Sequence, residues 1–357
     1  MQLLAINPGS TSTKIALFED ENQLWENTQR YDLDVIGQFA SVTAQEDFRL
    51  KKIEKALESK GVTAADLDGV VGRGGLLRPI PGGTYRVNDA MLEDLALASY
   101  GSHASNLGAP LALRLATQAG HPENAFIVDP VVVDELIEET RLSGLPEIPR
   151  RSVFHALNQK AIARRASNEM GKPYEDMSFV VAHMGGGISV GAHRKGRVID
   201  VNNALDGEGP FSPDRAGSLP TGALVKLCFS GSVTLPEMRK KINGKGGLVA
   251  HLGTNDLREV ERRIADGDGK ADLVFRSMAY QVAKEIGLRS VALDGAVDAI
   301  LLTGGLAYSD RFVEEIRRRV AFIAPVRVYP GEDELKALAE GALRVLSGQE
   351  EPKVYTR

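Results

Sequence analysis

The chain opens with the apolar run Leu3–Ile6, passes through the small polar stretch Pro8–Ser12, and resumes with alternating apolar and polar positions over Lys14–Glu19. An apolar run, a turn of Gly, Ser and Thr, and a period-two segment predict the two strands of a hairpin. Arg49–Ser59 sets Leu50, Ile53 and Leu57 on one side of a predicted helix, with Lys51 and Lys52 on its solvated face. Gly69–Val71 reads as a short strand that runs into the glycine bend Gly72–Gly75. Helices are expected over Asn88–Ser99, with Asn88 as its N-cap, and over Ala109–Ala119. Ala125–Val128 reads as a buried strand that Asp129-Pro130 stops.

The second half repeats the opening device. The apolar strand Phe179–His183 leads through Met184–Gly187 into the alternating strand Ile188–His193, and Gly196–Asp200 supplies a third. Asp206–Pro220 is too rich in Gly, Pro and Ser for regular structure. Helices follow at Leu257–Asp266, Asp272–Ala292 and Asp310–Ile323, strands at Ala299–Leu302 and Val326–Tyr329, and a last helix at Glu332–Leu346. Arg317–Arg319 lie on a solvated helix face. The matched units at Leu3–Leu17 and Val180–Ala192 predict an α/β chain of two related domains facing a cleft. The expected boundary lies near Pro149, giving domains 1–149 and 150–334.

Composition narrows the function classes. A chain of 357 residues suits two domains. A net charge of −5 argues against nucleic acid or an anionic membrane as main partner. The single cysteine, Cys228, excludes an internal disulfide and sits in the apolar run Leu224–Phe229, where it is expected in the core. No apolar run approaches the ~20 residues of a membrane span, and the N-terminus has no basic region before a cleavable segment, so a cytoplasmic protein is expected. One Cys and six scattered His form no zinc ligand set. Neither a Gly-x-Ser-x-Gly elbow nor a Gly-x-Gly-x-x-Gly after the first strand is present, so hydrolase and dinucleotide readings lose their usual warrants.

Three turns carry the chemistry. Asn7–Lys14 can aim backbone N–H groups, the hydroxyls of Ser10 and Ser12, and the Lys14 ammonium at a phosphate. It is not a Walker A loop, and alone it reads equally well as a polar hairpin turn. His183-Met184-Gly185-Gly186-Gly187 places three glycines between strands, where a sharp bend or a close ligand needs them. Thr303-Gly304-Gly305 ends a strand in a way that suits a nucleoside lying on the backbone. Four charged or titratable residues keep apolar or glycine company: Arg73, Asp129, His155 and Arg215. Such residues at strand ends and bends are often functional, although any one alone is more commonly structural.

The stretches Asn7–Lys14, Gly207–Gly217 (Gly-Glu-Gly-Pro-Phe-Ser-Pro-Asp-Arg-Ala-Gly), Asn255–Val260 and Thr303–Tyr308 together resemble the butyrate kinases, close relatives of the acetate kinases. The resemblance covers nearly the whole chain. It implies two ribonuclease-H-like domains of the superfamily that unites acetate and sugar kinases, heat-shock chaperones and actin. It further implies a last helix, about 335–357, that returns to the N-terminal domain. By the same resemblance Arg73 and Arg215 hold the carboxylate and the phosphoryl group. His183, His155 and Asp129 complete the catalytic set. Ser10, Ser12, Lys14, Gly185, Gly186, Gly187, Gly304 and Gly305 bind nucleotide, and Asn7 with Asp333 or Glu334 surrounds Mg²⁺. It also implies at least a dimer.

Two positions depart from the acetate kinase pattern. Gln159 stands where a second histidine is expected, and Gly75 replaces a pocket valine, which predicts room for a longer acyl chain. The implied reaction is butyrate + ATP ⇌ butyryl phosphate + ADP. An ionised carboxylate is already a nucleophile, so the enzyme needs electrostatic stabilisation rather than a base. A branched-acid kinase, an alcohol or sugar kinase with Asp129 as base, and a non-catalytic nucleotide switch are the alternatives.

Overall fold

A computed structural model describes residues 1–356. The chain divides into two compact units: Met1–Val133 with the segment from Asp333 onward, and Asp134–Glu332. The segment 134–149, which the sequence assigned to the first domain, thus lies in the second unit.

Strands β1 (Gln2–Pro8), β2 (Ser12–Glu19), β3 (Asn22–Arg30), β4 (Gly69–Arg73), β5 (Thr84–Arg86) and β6 (Ala125–Val128) belong to the first unit. Strands β7 (Ser178–Met184), β8 (Ile188–Arg194), β9 (Arg197–Val201), β10 (Ala299–Gly304) and β11 (Val326–Pro330) build the second, and β12 (Lys353–Val354) returns to the first sheet. The first sheet runs β12-β5-β6-β4-β1-β2-β3 and the second β11-β10-β7-β8-β9. In each, an antiparallel meander (β1-β2-β3, β7-β8-β9) is extended by two parallel strands on the side of its first member (β4 and β6, β10 and β11). The duplicated device in the sequence is therefore a duplicated sheet, the ribonuclease-H-like arrangement.

The central strands are almost wholly buried because helices cover them. Helix Gly108–Gln118 packs on β4 and β6, and helix Glu334–Leu346 on β1, β4 and β6. In the second unit helix Gly269–Ala292 lies on β7 and β8, and helix Ala156–Glu169 on β7 and β10. Asn88 caps helix Asp89–Ala96 by accepting the Met91 N–H at 3.0 Å.

Two elements were not foreseen from the sequence, and one expectation is corrected. Helix Ala156–Glu169 has no legible apolar stripe, because its inward residues include Asn158, Gln159 and Lys160. Tertiary partners satisfy them: Lys160 Nζ, for instance, is held by Glu135 at 2.8 Å. Strand β3 is an exposed edge without a hydrophobic face. Cys228 is exposed rather than buried: it ends helix Thr221–Cys228, which has no buried residue, and Phe229 beside it is 86% exposed. Apolar character alone misplaced this run. Among the described residues no helix is long and apolar enough to cross a membrane.

Candidate active site

The first turn joins β1 to β2. The register pairs Asn7 with Lys14 and Pro8 with Thr13, and the Gly9 N–H donates to Ser12 O at 2.8 Å. Ser10, Thr11 and Lys14 are exposed, whereas Thr13 is fully buried. The buried anchor is Arg49, which the sequence reading left inside an ordinary helix. Its guanidinium donates to the carbonyls of Gly9, Ser10 and Ser12 at 2.9, 3.2 and 2.9 Å.

Arg73 ends β4, where its own glycine neighbours offer no partner, but the fold supplies one. Arg73 Nη1 meets Glu334 Oε1 at 2.6 Å, and Asn7 Nδ2 donates to the other oxygen of Glu334 at 2.5 Å. The three consecutive acids Glu332–Glu334 have separate tasks. Glu332 Oε2 lies 3.4 Å from His183 Nε2, Asp333 accepts the Lys336 N–H as the cap of the last helix, and Glu334 joins Asn7 and Arg73.

The other site residues of this unit are more constrained than expected. Asp129 is buried, adopts φ 37° and accepts the Gly83 N–H at 2.7 Å, so its carboxylate is engaged in fixing a turn. Gly75 has no room beside it. A Cβ there would lie 2.6 Å from Asn106 Cα and 2.7 Å from Leu95 Cδ2. The volume that a valine would fill is therefore occupied by Asn106 and Leu95, and the expectation of a pocket enlarged at Gly75 is corrected. Asn106 also accepts the Leu76 N–H at 2.9 Å, and so holds the bend after Arg73. His103 lies close by, and partial burial together with the Arg73 charge lowers its imidazole below the ordinary value.

In the second unit, the glycine turn after β7 is tight: Gly185 N–H donates to Gly187 O at 3.0 Å. Arg215 lies across it. A Cβ on Gly187 would stand 2.0 Å from Arg215 Nη1, so only glycine admits the guanidinium there. Arg215 Nη1 donates to Ala204 O at 2.6 Å, while its buried Nε meets no acceptor among the described residues; Asp214 Oδ1 is 3.8 Å away. Ser212 Oγ donates to Gly186 O and accepts the Arg215 N–H, which ties the irregular loop to the glycine turn. Thr303-Gly304-Gly305 is adjacent. Gly304, at φ 89°, approaches the Met184 backbone so closely that a Cβ would fall 2.5 Å from Met184 O.

Two histidines line this turn. The rings of His155 and His183 stack with centroids 3.9 Å apart. His183, 2% exposed, pairs Nδ1 with Asn158 Oδ1 at 2.7 Å. His155 Nδ1 is 2.8 Å from Ser189 Oγ, and Gln159 Nε2 donates to that oxygen at 2.8 Å and to Ser189 O at 3.1 Å. Gln159 Oε1 then accepts from His193 Nε2 at 2.9 Å, and Tyr174 OH donates to His193 Nδ1 at 2.7 Å. Burial keeps His193 neutral, well below its ordinary value. Ser189 Oγ, with two lone pairs and one proton, thus joins His155 Nδ1 to Gln159 and fixes how the His155 ring is turned. Gln159 thus does its work as the buried centre of this chain. Ser189 ends the glycine motif that begins at His183, whereas Asn158, His103 and Asn106 were signalled only by their polar character in apolar surroundings.

The model of the acetokinase family matches residues 147–325, half of the chain. The chain belongs to the acetokinase family. Members of this family are phosphotransferases that act on a carboxyl group with ATP as donor. The matched half holds both histidines, the glycine turn, Arg215 and Thr303-Gly304-Gly305. Similar solved structures cover the remainder. Acetate kinase from Porphyromonas gingivalis is 20% identical, with a TM-score of 0.78 over 97% of this chain and 99% of that one. Acetate kinase from Entamoeba histolytica is 16% identical (TM-score 0.73, 96% and 98% covered). A propionate kinase from Francisella tularensis subsp. tularensis SCHU S4 is 19% identical (TM-score 0.69, 95% and 98% covered). These likenesses place the whole chain in the acetokinase fold.

Proposed function

We propose that this acetokinase-family chain transfers the γ-phosphoryl group of Mg-ATP to the carboxylate of a short fatty acid, with butyrate as the acid, and that the reaction is reversible. The observation that carries this reading is Arg215: a partly exposed guanidinium seated on the Gly185–Gly187 turn, so close that only glycine fits at Gly187. Such a donor is placed for an anion, and a phosphoryl group in transfer is an anion with oxygens on three sides. Butyrate itself rests on the resemblance of the four sequence stretches to butyrate kinases. Gly75 adds nothing to that choice, since its surroundings are filled.

In the proposed step a carboxylate oxygen attacks Pγ in line, the new O–Pγ bond forms, and the bond to the ADP oxygen breaks with its electron pair leaving on ADP. The carboxylate needs no deprotonation. Arg73 is assigned to the acid and Arg215 to the phosphoryl oxygens, both through the planar fork. His183 and His155 are assigned further positive or donor character as charge spreads in the transition state. The turns at Gly9–Thr13 and Gly185–Gly187 are assigned to the phosphate chain, and Thr303-Gly304-Gly305 to the nucleoside.

The oxygen donors Asn7 Oδ1, Asp333 and Glu334 suit Mg²⁺, a hard cation. Among the described residues no cluster of three His, Cys, Asp or Glu forms a protein cage. The residues therefore fit a cation that arrives with the nucleotide, and when bound it neutralises phosphate charge. A cytoplasmic setting and a homo-oligomer accord with this reading. With Mg-ATP and butyrate, added hydroxylamine should trap butyryl hydroxamate. If a sugar or alcohol were the acceptor, ATP would be consumed and no hydroxamate formed.

A further inference from the structure

Arg49 is fully buried, and among the described residues no carboxylate lies within ion-pair distance of it. A buried charge without a counter-ion needs many hydrogen bonds. Arg49 has six, and four of them point to one place. Nη1 donates to Gly9 O, Ser12 O and Thr13 Oγ1, and Nη2 to Ser10 O. Nε and Nη2 also donate to Gln45 Oε1, one helical turn earlier, at 3.1 and 2.8 Å. The Tyr31 ring faces the guanidinium, 5.0 Å from centroid to Cζ.

This geometry dictates the other face of the turn. Every peptide bond described is trans, so each N–H points opposite to the carbonyl of its own peptide unit. With the Gly9 and Ser10 carbonyls turned down to Arg49, the N–H groups of Ser10 and Thr11 turn up and outward. Among the described residues neither has a protein acceptor. Successive outward N–H groups above a fixed cation form an anion seat.

We propose that Arg49 is a positioning residue of the phosphate turn, holding the Gly9–Thr13 backbone with its N–H groups outward and setting a permanent positive charge beneath the bound phosphate. The proposal rests on the reading of that turn as a phosphate site. An arginine stays charged even when burial lowers its affinity for the proton, so this charge persists at every working pH. A docked phosphate supplies the counter-charge that the protein withholds.

The test compares Mg-ADP with adenosine as ligands of the full chain, by thermal shift and by steady-state kinetics. In the wild type Mg-ADP should raise Tm beyond adenosine. Arg49→Gln should lose that increment while keeping the adenosine shift. Its KM for ATP should rise about tenfold or more, as lost charge-assisted contacts imply, with KM for the acid little changed. Arg49→Lys should fall between, since it keeps the charge and loses the fork. An Arg49→Gln protein that loses adenosine and ADP binding equally, or neither, overturns the proposal. Ser12→Ala separates the two claims. If it removes the increment while Arg49→Gln retains it, the turn binds phosphate and Arg49 is only a packing residue. If the wild type shows no increment at all, the phosphate reading itself fails. Should the Arg49 variants not fold, Gln45→Met decides: a reduced increment supports the proposal and an unchanged one contradicts it.

Discussion

His155 and His183 stack face to face, with ring planes 16° apart and centroids 3.9 Å apart. Glu332 Oε2 lies 3.4 Å from His183 Nε2, and Asn158 Oδ1 lies 2.7 Å from His183 Nδ1, so both nitrogens of that ring face an oxygen. His155 is oriented by Ser189 Oγ, which Gln159 holds in turn.

Each half of that pair has its own test. His183→Ala should lower kcat about 100-fold, the usual loss when one transition-state donor is removed. Ser189→Ala should lower kcat by less and leave KM for ATP near the wild-type value, because only the orientation of His155 is released. Steady-state kinetics of the two variants check this; a Ser189→Ala enzyme with unchanged kcat would show that the Ser189 contact is irrelevant to the reaction.

Gly187→Ala isolates Arg215 from the rest of the fold. The new methyl group would stand 2.0 Å from Arg215 Nη1, and the guanidinium is the movable partner. The variant should keep Tm within a few degrees and lose activity at least as severely as Arg215→Lys. Circular dichroism melts beside initial rates make the comparison, and an active Gly187→Ala enzyme would remove Arg215 from the proposed mechanism.

Gly75→Val meets Asn106 backbone and Leu95. Overpacking of this kind is expected to cost about 1–3 kcal/mol of stability. Acetate and butyrate turnover should fall together, since the strain reaches both through the bend after Arg73. Chemical denaturation and paired kinetics for the two acids test it, and a selective loss of butyrate turnover would restore a pocket at Gly75.

Much of this was legible in the sequence and some was not, for physical reasons. Strands β1, β2, β7 and β8 declare themselves because they alternate or run apolar between glycine and serine turns. The sharp turns declare themselves because glycine is needed where Arg215 and Met184 come close. Arg49, Asn158 and Asn106 gave no such signal. Their partners are backbone carbonyls and polar side chains distant in sequence, and periodicity records only what is apolar. Cys228 misled for the converse reason: an apolar run says that burial is affordable, and only the tertiary structure says whether anything covers it.

Acid should weaken the fold through His193. Its folded pKa is depressed, chiefly by burial and then by the charges of Lys160 and Arg164, well below the ordinary 6.5. Above that value both folded and unfolded chains hold a neutral ring and His193 makes no difference. As pH falls through 6.5, the unfolded chain takes up a proton that the folded one refuses, so stability declines progressively toward the folded pKa. Denaturant midpoints measured from pH 7.5 down to 5 should show a steeper acid loss for wild type than for His193→Gln. Parallel curves would assign the acid loss to other groups.

The most direct test runs the reaction backward. The purified chain, given Mg-ADP and butyryl phosphate, should generate ATP detectable by luciferase, and Arg215→Ala should abolish most of it. Acyl phosphates of two to five carbons, supplied in parallel, should give the highest kcat/KM at four. A maximum at acetyl phosphate would contradict the choice of butyrate, and ATP from none of them would contradict carboxylate phosphoryl transfer by this chain.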